Sequence, residues 1–333
     1  MRLSIDAMGG DRGPAVIVSA CHQALTQHPS LHILLVGLID QLSDLLSSWP
    51  ADLRQRVELV GADSVIEMDD SPAVALRRKK TSSMRVALEQ VANGNADACI
   101  SSGNTGALMA LSRIVLKMLP GIDRPAIMAE IPARDGRTFM LDVGANSECT
   151  VDQLYQFAVM GSVVAANLLE KQSPTIGLLN IGSEAGKGNE VVRDTAERLA
   201  DSHLNFAGFV EGDTLFDPAV DVVVTDGFTG NVALKTMEGT ANLVRHRMRE
   251  SFLQSWLSKL QALLARPVLN DVGKRLDPRK FNGASLVGLG GIVVKSHGGS
   301  DEVAFGHAIE TTIMELAENV PEAVRRGLKS EAA

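Results

Sequence analysis

The chain has 333 residues, of which 45% are hydrophobic and 22% charged, and its formal net charge is −8. Such a chain can bury a sizeable core as one large α/β domain or two smaller ones, and its acidic charge argues against nucleic acid as the main partner. Three scattered cysteines exclude a disulfide framework and fit a reducing cytoplasm, and neither a signal peptide nor a membrane-spanning run of about 18 apolar residues is expected.

Two early segments follow one plan, in which a short apolar strand leads through a glycine-rich loop into a helix. In the first, Ile5 closes the strand, the glycines between positions 9 and 13 make the turn, and Pro14 suits the first turn of the helix. In the second, the strand ends near Ile100, and Asn104 or Thr105 is placed to cap the next helix.

The same plan recurs at residues 220–244, where residues 222–224 are predicted to form a strand buried on both faces. Two further strands are predicted, one in RTFMLDVGANSE and one in ASLVGLGGIVVKSHGG, and each ends in a polar glycine loop. No linker interrupts the chain. These elements predict a single α/β domain over residues 1–333, wound around a mostly parallel sheet.

The glycine loops indicate an anionic ligand. In an open α/β sheet, the loops after the strands meet helix N-termini, which carry unpaired N–H groups and a partial positive charge. The turns at 102–108 and 226–232 share the pattern Gly-x-Thr-Gly, and we expect them to face one cleft. The need for glycine in tight turns explains any single loop, but it does not explain several loops at equivalent strand ends.

The loop NIGSEAGKGNE, residues 180–190, places Lys187 among three glycines. A Walker loop has four residues between its first glycine and its Gly-Lys pair, and a Ser or Thr follows the lysine. Here only three residues separate Gly182 from Gly186, and the residue after Lys187 is Gly188. The loop GGDRG near the N-terminus does not match the dinucleotide pattern. The sequence therefore favours neither ATP nor NAD. The scattered histidines and cysteines favour no metal site, and we predict no cofactor.

Six motifs stand in the order DAMGGDRGP (6–14), SGNTGALM (102–109), LDVGAN (141–146), NIGSEAGKGNE (180–190), EGDTLFD (211–217) and TDGFTGNVALK (225–235). Together they resemble the phosphate acyltransferase family of bacterial phospholipid synthesis. The resemblance is collinear and spans nearly the whole chain. The basic stretch from 244 to 281 resembles the family in character rather than in residues.

The resemblance implies a Rossmann-like α/β/α sandwich related to phosphotransacetylases and isopropylmalate-type dehydrogenases. It also implies a cytoplasmic homodimer that contacts the membrane peripherally. The implied reaction is the reversible transfer of a long-chain fatty acyl group from acyl carrier protein to inorganic phosphate. Its acyl phosphate product would serve a membrane glycerol-3-phosphate acyltransferase in phospholipid synthesis.

The resemblance marks Lys187 and Asn231 as the catalytic candidates. Lys187 would contact phosphate or the oxyanion and could protonate the leaving thiolate, and Asn231 would orient phosphate or the thioester carbonyl through its amide. The alternative is that neither residue is catalytic, with Lys187 an ordinary surface lysine and Asn231 a helix-capping asparagine. The resemblance further implies phosphate-binding or substrate-binding roles for Gly9, Gly10, Asp11, Gly103, Asn104, Thr105, Gly106, Asp142, Asn146, Ser183, Glu184, Gly186, Gly188, Asp226, Thr229, Gly230 and His297.

Residues 244–281 are predicted to form a basic, leucine-rich helical elaboration that projects from the sheet domain. Its apolar residues recur at spacings of three and four and form one helical stripe. The stripe can lie on a membrane surface with its cations facing anionic lipid, form a dimer interface, dock the acidic carrier protein, or simply pack on neighbouring helices. The residues that carry the first three alternatives are Arg245, Arg247, Arg249, Phe252, Trp256, Leu257 and Leu260.

Two other functions remain open from the sequence. A short-chain phosphotransacetylase that uses coenzyme A would need a nucleotide-binding surface and no apolar acyl groove. A catalytically silent scaffold would sense phosphate and recruit lipid-synthesis enzymes to the membrane. Activity with acetyl-CoA compared with palmitoyl carrier protein separates the first of these from the long-chain enzyme, and substitution of Lys187 and Asn231 tests the second.

Overall fold

The computed structural model describes residues 1–134, 136–217, 220–275 and 277–331. Eleven strands form one sheet in the order β3-β2-β1-β4-β11-β10-β5-β6-β9-β7-β8. The strands, numbered along the chain, are β1 Arg2–Asp6, β2 His32–Gly37, β3 Val57–Gly61, β4 Ala98–Ser101, β5 Ala126–Pro132, β6 Arg137–Leu141, β7 Ile176–Leu179, β8 Phe206–Val210, β9 Val222–Val224, β10 Ala284–Val287 and β11 Ile292–Lys295.

Helices cover both faces of the sheet, because its central strands are apolar on both sides. Twelve α-helices and one 3₁₀ turn at Pro278–Phe281 are present in the described part of the chain. The helices are α1 Pro14–Gln27, α2 Ile39–Leu46, α3 Ala51–Arg54, α4 Pro72–Arg78, α5 Ser83–Ala92, α6 Thr105–Val115, α7 Val151–Leu168, α8 Glu190–Ala200, α9 Gly227–Leu253, α10 Trp256–Arg275, α11 Glu302–Ala317 and α12 Val320–Glu331.

Three apolar clusters define the layers. One cluster joins side chains of α5, α6 and α9 to one face of the sheet. The opposite face carries two clusters, one with α1 and α11 over β1, β2, β4 and β11, and one with α7 and α12 over the strands from β5 to β7. This arrangement confirms the predicted α/β/α sandwich around a mostly parallel sheet.

The sheet consists of two parallel blocks that run in opposite directions. Strands β1 to β4 and β11 are mutually parallel where they pair, and so are β6, β9, β7 and β8. Between the blocks, three successive pairings are antiparallel: β11 with β10, β10 with β5, and β5 with β6. Three reversals leave the second block antiparallel to the first. We call the edge where β1, β4 and β11 end the β4 edge, and the edge where β6, β9 and β7 end the β7 edge.

The reversed blocks correct one prediction. The two Gly-x-Thr-Gly turns were expected at equivalent strand ends, but 102–108 follows β4 and 226–232 follows β9, so they leave the sheet in opposite directions. That the two turns face one cleft stays a prediction. A second correction concerns ASLVGLGGIVVKSHGG, which forms two antiparallel strands, β10 and β11, instead of one. Gly288, with φ +93°, begins the turn between them. This hairpin supplies one of the reversals that separate the two blocks.

Helix α9 packs on the sheet through its first turns. It begins at the β7 edge directly after β9, and Ala233, Leu234 and Met237 pack on the cluster that contains Met140 and Val223 of the sheet. Its continuation pairs with α10, so the segment 244–281 comprises the end of α9, helix α10 and the 3₁₀ turn. Among the described residues, no helix combines the length and the hydropathy that are needed to cross a bilayer.

Candidate functional site

Three loops that carry most of the predicted site residues meet at the β7 edge. Strands β6, β9 and β7 are neighbours and run parallel, so residues 142–146, 225–231 and 180–189 all leave the sheet at this edge. The topology therefore places the loop of Lys187 next to the turn that carries Asn231. The loop after β6 lies on the other side of that turn.

The loop after β6 is organised by a buried carboxylate. Asp142 is fully buried, and its two oxygens accept five hydrogen bonds. Burial raises the pKa of Asp142 above its usual value, and the N–H donors oppose that shift. Oδ1 accepts from the backbone N–H groups of Ile127 at 3.0 Å, Gly144 at 3.1 Å and Ala145 at 2.9 Å, and Oδ2 accepts from Asn146 through its backbone at 2.7 Å and its Nδ2 at 2.9 Å.

The N-terminus of α9 docks on this loop. Asp226 caps the helix by accepting hydrogen bonds from the backbone N–H of Thr229 at 2.8 Å and from its hydroxyl at 2.7 Å. The N–H of Gly227 donates to the carbonyl of Asn146 at 2.7 Å. A Cβ on Gly230 would lie 2.0 Å from the carbonyl oxygen of Asp142, so only glycine allows this approach. The exposed side chain of Asn231 then faces Gly144, whose Cβ position would lie 3.7 Å from its Oδ1.

The Lys187 loop is closed by one asparagine. Nδ2 of Asn180 donates to the carbonyls of Gly182 at 3.1 Å and Lys187 at 3.2 Å, so the loop folds back on its own start. The stem of Lys187 packs over Gly182, where a Cβ would come within 3.0 Å of its Cγ and 2.8 Å of Oε2 of Glu184. The side chain of Lys187 is exposed. The loop therefore combines an exposed cation with a backbone that Asn180 holds in place.

The other residues of this loop either stabilise its conformation or are exposed to solvent. Gly188 has φ +91°, and a Cβ there would meet Oδ1 of Asn180 at 2.5 Å. Ser183 and Gly186 are exposed, and Asn189 caps α8 by accepting from Val192 at 2.9 Å. A lysine ammonium beside the start of α9 can attract an anion, because a helix N-terminus adds unpaired N–H groups and a partial positive charge.

The remaining predicted residues lie together at the β4 edge. The loop after β1 packs tightly on the loop after β4, since a Cβ on Gly9 would lie 2.6 Å from the backbone nitrogen of Gly103. Gly10 has φ +90°, and the N–H of Asp11 donates to the carbonyl of Gly298 at 2.8 Å. Three loops, after β1, β4 and β11, therefore form one compact surface.

Asn104 anchors the start of α6 at this edge. Its Oδ1 caps the helix by accepting from Ala107 at 2.9 Å, and its Nδ2 donates to the carbonyls of Met68 at 2.7 Å and Asp70 at 3.0 Å. Thr105 and Gly106 form the first turn of α6, and Gly106 lies against Pro72. All donors of the Asn104 amide are used in holding the loop.

Two lysines were missed by the sequence reasoning, Lys295 at the β4 edge and Lys235 on α9. Lys295 ends β11 and is only 8% exposed, and burial, together with the charge of Lys235, lowers its pKa to about 8. Lys235 lies one turn after Asn231 on the same side of α9, so the first turns of this helix lie close to Lys295 and to the loop after β11. Burial and the charge of Lys235 also lower the pKa of His297. The sequence signal that could have identified Lys295 is its position at the end of an apolar strand, just before a glycine loop.

An apolar groove of about 860 Å³ runs along α9 beyond Asn231. Arg245, Arg249 and Phe252 line it, whereas Arg247 pairs with Glu250 at 2.9 Å. Trp256, Leu257 and Leu260 on α10 are exposed, with Trp256 at 78%. Apolar side chains of the two helices and of the loop after β8 form the walls, among them Leu234, Met237, Met248, Leu269 and Phe216.

The described residues offer neither a metal site nor an activated cysteine near the loops of the β7 edge. No group of three or more His, Cys, Asp or Glu side chains in these residues is arranged to hold a metal ion. Cys149 lies beside the β6 loop, and burial, with the charges of Asp142 and Asp226, raises its pKa to about 12. A thiol with that pKa is protonated at neutral pH and is a poor nucleophile.

The chain matches the family model described as fatty acid synthesis protein over residues 1–323. It is 52% identical over 319 residues to a phosphate acyltransferase of Methylococcus capsulatus, which covers 96% of this chain and 94% of the relative. It is 49% identical over 327 residues to a phosphate acyltransferase of Nitrosococcus oceani, which covers 98% of this chain and 96% of the relative.

Solved structures show the same fold at low sequence identity. A phosphotransacetylase from Streptococcus pyogenes superposes with a TM-score of 0.64 at 18% identity, covering 96% of this chain and 94% of that one. A 4-hydroxythreonine-4-phosphate dehydrogenase from Klebsiella pneumoniae gives a TM-score of 0.51 at 13% identity, covering 96% of this chain and 98% of that one. Taken with the relatives of about 50% identity, these findings establish that the chain belongs to the phosphate acyltransferase family of fatty acid synthesis proteins and is an acyltransferase that uses phosphate.

Proposed function

We propose that the protein reversibly transfers a long-chain fatty acyl group from acyl carrier protein to inorganic phosphate, and that the acyl phosphate supplies phospholipid synthesis. One observation carries this proposal. Helix α9 presents Asn231 in its first turn beside the Lys187 loop, and its following turns line the apolar groove. A thioester held at the start of α9 would therefore have its acyl chain directed along the groove, where burial of each CH₂ is worth about 0.8 kcal/mol.

The reaction needs no strong general base. The dianion of phosphate is available at neutral pH, judged from a second pKa of about 6 for its monoesters. One of its oxygens attacks the thioester carbon, and the carbonyl oxygen becomes an oxyanion. Collapse of this intermediate keeps the new C–O bond and breaks the C–S bond. The proton of the phosphate balances the reaction by ending on the departing thiolate, so the products are acyl phosphate and a free thiol.

Lys187 and Asn231 are the catalytic residues in this proposal. The Lys187 ammonium attracts the phosphate and relays a proton to the thiolate, and the exposed Asn231 amide donates to the phosphate or to the thioester oxygen. Asp142 and Asp226 do not contact the phosphate, because their oxygens are occupied by N–H and hydroxyl donors. They fix the start of α9 on the loop after β6. Direct attack by phosphate requires no covalent enzyme intermediate.

The hairpin of α9 and α10 is the proposed contact surface for partners. Its large apolar side chains are unusually exposed, including Trp256 at 78%, Leu264 at 76% and Leu263 at 61%. We propose that this surface binds the membrane peripherally, with Arg245 and Arg249 attracting anionic lipid or the acidic carrier protein, and that it contributes to a homodimer. Membrane contact would place the enzyme where a glycerol-3-phosphate acyltransferase can receive the acyl phosphate.

The test combines two acyl donors with a product trap. Palmitoyl carrier protein and phosphate should release free thiol and give a hydroxamate when hydroxylamine is added, and release should require phosphate. Acetyl-CoA should be a poor donor, because a two-carbon chain leaves the groove empty. Faster turnover of acetyl-CoA would favour a short-chain phosphotransacetylase. No hydroxamate from either donor at millimolar phosphate would contradict the proposal and favour a non-catalytic scaffold.

A further inference from the structure

The carbonyl of Gly188 lies where the Lys187 loop joins helix α8. Asn189 caps this helix, and its own carbonyl accepts the backbone N–H of Arg193 at 3.1 Å. The carbonyl of Gly188 lies one residue before this first helical hydrogen bond, outside the helical ladder. The side chain of Arg193 provides its donor, since Nη1 lies 2.6 Å from this carbonyl oxygen. Arg193 therefore contacts both residues that connect the loop to the helix.

Two side chains from different elements hold the backbone of the Lys187 loop. Asn180, directly after β7, donates from Nδ2 to the carbonyl of Lys187 at 3.2 Å, and Arg193 of α8 donates to the next carbonyl along the chain. The N–H of Lys187 donates to the carbonyl of Glu184 at 3.0 Å. The peptide groups on either side of Gly188 thus each have a side-chain partner, one at the end of the strand and one on the helix.

Gly188 is the pivot between these two peptide groups. Its φ is +91°, a conformation that glycine adopts at no steric cost. The same freedom lets the adjoining peptide groups rotate unless their carbonyls are held. Gly186, on the other side of the lysine, has no described atom beyond its chain neighbours within 4 Å of its Cβ position. A lysine between two such glycines depends on hydrogen bonds to its backbone, because packing does not fix its orientation.

The two arginines of α8 make different contacts. Arg198 pairs with Asp152 and lies over the ring of Tyr155 at 4.3 Å, so it ties α8 to α7. Arg193 is half-buried, and among the described residues its side chain forms one hydrogen bond, to the carbonyl of Gly188, and no ion pair. Hydrogen bonds from a charged donor are among the stronger ones in proteins. The contacts of Arg193 therefore serve the loop, and those of Arg198 serve the packing of the helix.

We propose that Arg193 is a positioning residue for the reaction, which holds the Lys187 loop on α8 and thereby fixes the location of the Lys187 ammonium. This inference rests on the proposed function, in which Lys187 is catalytic. Arg193 acts through the backbone of the loop and contacts neither phosphate nor thioester. Displacement of a reacting group by about 1 Å can lower a rate by about 100-fold, so an anchor of this kind has a measurable effect on turnover.

The decisive variants are Arg193→Met, which removes the donor to the loop, and Arg193→Lys, which keeps a cationic donor on a long side chain. Turnover of palmitoyl carrier protein with inorganic phosphate is the measurement. Arg193→Met should lower kcat by about tenfold with the KM for phosphate changed less, and Arg193→Lys should retain at least about a third of the parent kcat. Unchanged kcat in Arg193→Met would overturn the proposal.

Arg198→Met is the matched control, because it removes an arginine of the same helix that does not contact the loop. It should lower the melting temperature and keep the parent kcat, whereas Arg193→Met should lower kcat with a smaller change in melting temperature. An equal fall in kcat in both variants would overturn the proposal, since the activity would then depend on the stability of α8 in general.

A double-mutant cycle shows whether Arg193 acts through the lysine. In a Lys187→Met background, Arg193→Met should change kcat by less than about twofold, because no ammonium remains to be positioned. A tenfold fall in both backgrounds would overturn the proposal. Full activity in Lys187→Met would refute the catalytic role of the lysine and this inference with it. An impaired Lys187→Met beside a fully active Arg193→Met would refute the inference alone.

Hydrogen–deuterium exchange tests the anchoring of the loop apart from the reaction. The N–H of Lys187 and that of Ile181, which donates to Oδ1 of Asn180 at 2.8 Å, should exchange about threefold faster or more in Arg193→Met, and at the parent rate in Arg198→Met. Should Arg193→Met fail to fold, Arg193→Gln, whose shorter side chain remains polar, should give the same changes in exchange and in kcat. Parent exchange rates in the folded variant would overturn the proposal.

Discussion

The carboxylate of Asp142 accepts two hydrogen bonds from Asn146, one from its backbone nitrogen at 2.7 Å and one from its Nδ2 at 2.9 Å. Asn146 in turn presents its own carbonyl to the N–H of Gly227, the first residue of α9, at 2.7 Å. The pair therefore fixes the start of the helix that carries Asn231. Its contribution to the proposed reaction is to position that helix rather than to contact substrate.

Asp142→Ala should destabilise the fold by about 3 kcal/mol, because it removes the acceptor of five hydrogen bonds and leaves buried N–H groups unsatisfied. Asp142→Asn should also be destabilising, because the NH₂ group of the new amide would face N–H groups that now donate to the carboxylate. Urea unfolding measures both changes. The control is Asp40→Asn, an exposed aspartate on α2 that should shift stability by less than about 0.5 kcal/mol. A loss below about 1 kcal/mol in Asp142→Ala would contradict this account.

Two glycines on α9 should respond to alanine in opposite ways. In Gly230→Ala the new Cβ would lie 2.0 Å from the carbonyl oxygen of Asp142, so the helix must shift away from the loop. We expect a loss of at least about 2 kcal/mol in the free energy of unfolding and a large fall in activity. Gly239→Ala meets nothing within 4 Å and should stabilise the helix by about 0.5–1 kcal/mol. Equal effects of both substitutions would be inconsistent with the docking of α9.

Lys187→Ala and Asn231→Ala should each lower kcat with palmitoyl carrier protein by about 100-fold or more, as expected when a group that stabilises developing charge is removed. Both side chains are exposed, so the melting temperature should hardly change. Lys80→Ala controls for loss of one surface charge. Phosphate-dependent hydroxamate formation is the measurement. Full activity in either variant would remove that residue from the proposed mechanism.

The exposed apolar surface of α10 should control membrane binding. A double substitution, Trp256→Ser with Leu264→Ser, removes two side chains that are 78% and 76% exposed. Because insertion of each large apolar side chain is worth roughly 1.5–3 kcal/mol, partition onto anionic vesicles should fall by at least about tenfold. Flotation with vesicles in a density gradient measures this partition. The control Ile114→Ser, which removes an exposed isoleucine on α6, should bind vesicles as the parent protein does. A parent protein that fails to float would leave this surface to a dimer or the carrier protein.

Glu315 should make stability depend on pH. It is buried on α11, where it accepts from the Ser285 hydroxyl at 3.0 Å, and burial raises its pKa from 4.5 to about 8. The folded state therefore binds a proton that the unfolded state has lost between these values, so stability should decline as pH rises from about 4.5 to about 8.

Glu315→Gln removes this titration, and at pH 8.5 it should exceed the parent protein in stability by a margin on the order of 3 kcal/mol. At pH 5 the difference should be small, because the parent carboxyl is then protonated. Chemical denaturation at several pH values gives the comparison. Glu318→Gln, an exposed change at the end of the same helix, should leave the pH profile unaltered. A profile of Glu315→Gln parallel to that of the parent would show that Glu315 is ionised in the fold.

Several local features followed directly from the sequence. The strand at 222–224, the helix that begins at Pro14 and the capping role of Asn104 all depend on residues that are close together in the chain. Apolar runs, a proline in a first turn and a capping amide act locally, so their effects can be predicted from the sequence without knowing the fold. The collinear motifs likewise indicated the family that the comparisons established.

Other features depend on contacts between distant parts of the chain. The sequence predicted a strand in ASLVGLGGIVVKSHGG, but the reversal at Gly288 depends on which neighbours each half pairs with. It also gave no sign that the loops after β4 and β9 leave opposite edges, since strand direction is a property of the whole ladder. Lys295 was overlooked for the same reason, because it is buried where β11 pairs with β4.

The sequence by itself determined several of the elements, the α/β class, the family and the two side chains proposed for catalysis, because these depend on local chemistry and on motif order. Only the tertiary structure decided that Lys187 and Asn231 occupy loops of neighbouring strands at the β7 edge, and that Lys295 is buried at the end of β11. The physical reason is that three antiparallel pairings between segments far apart in the chain reverse half of the sheet.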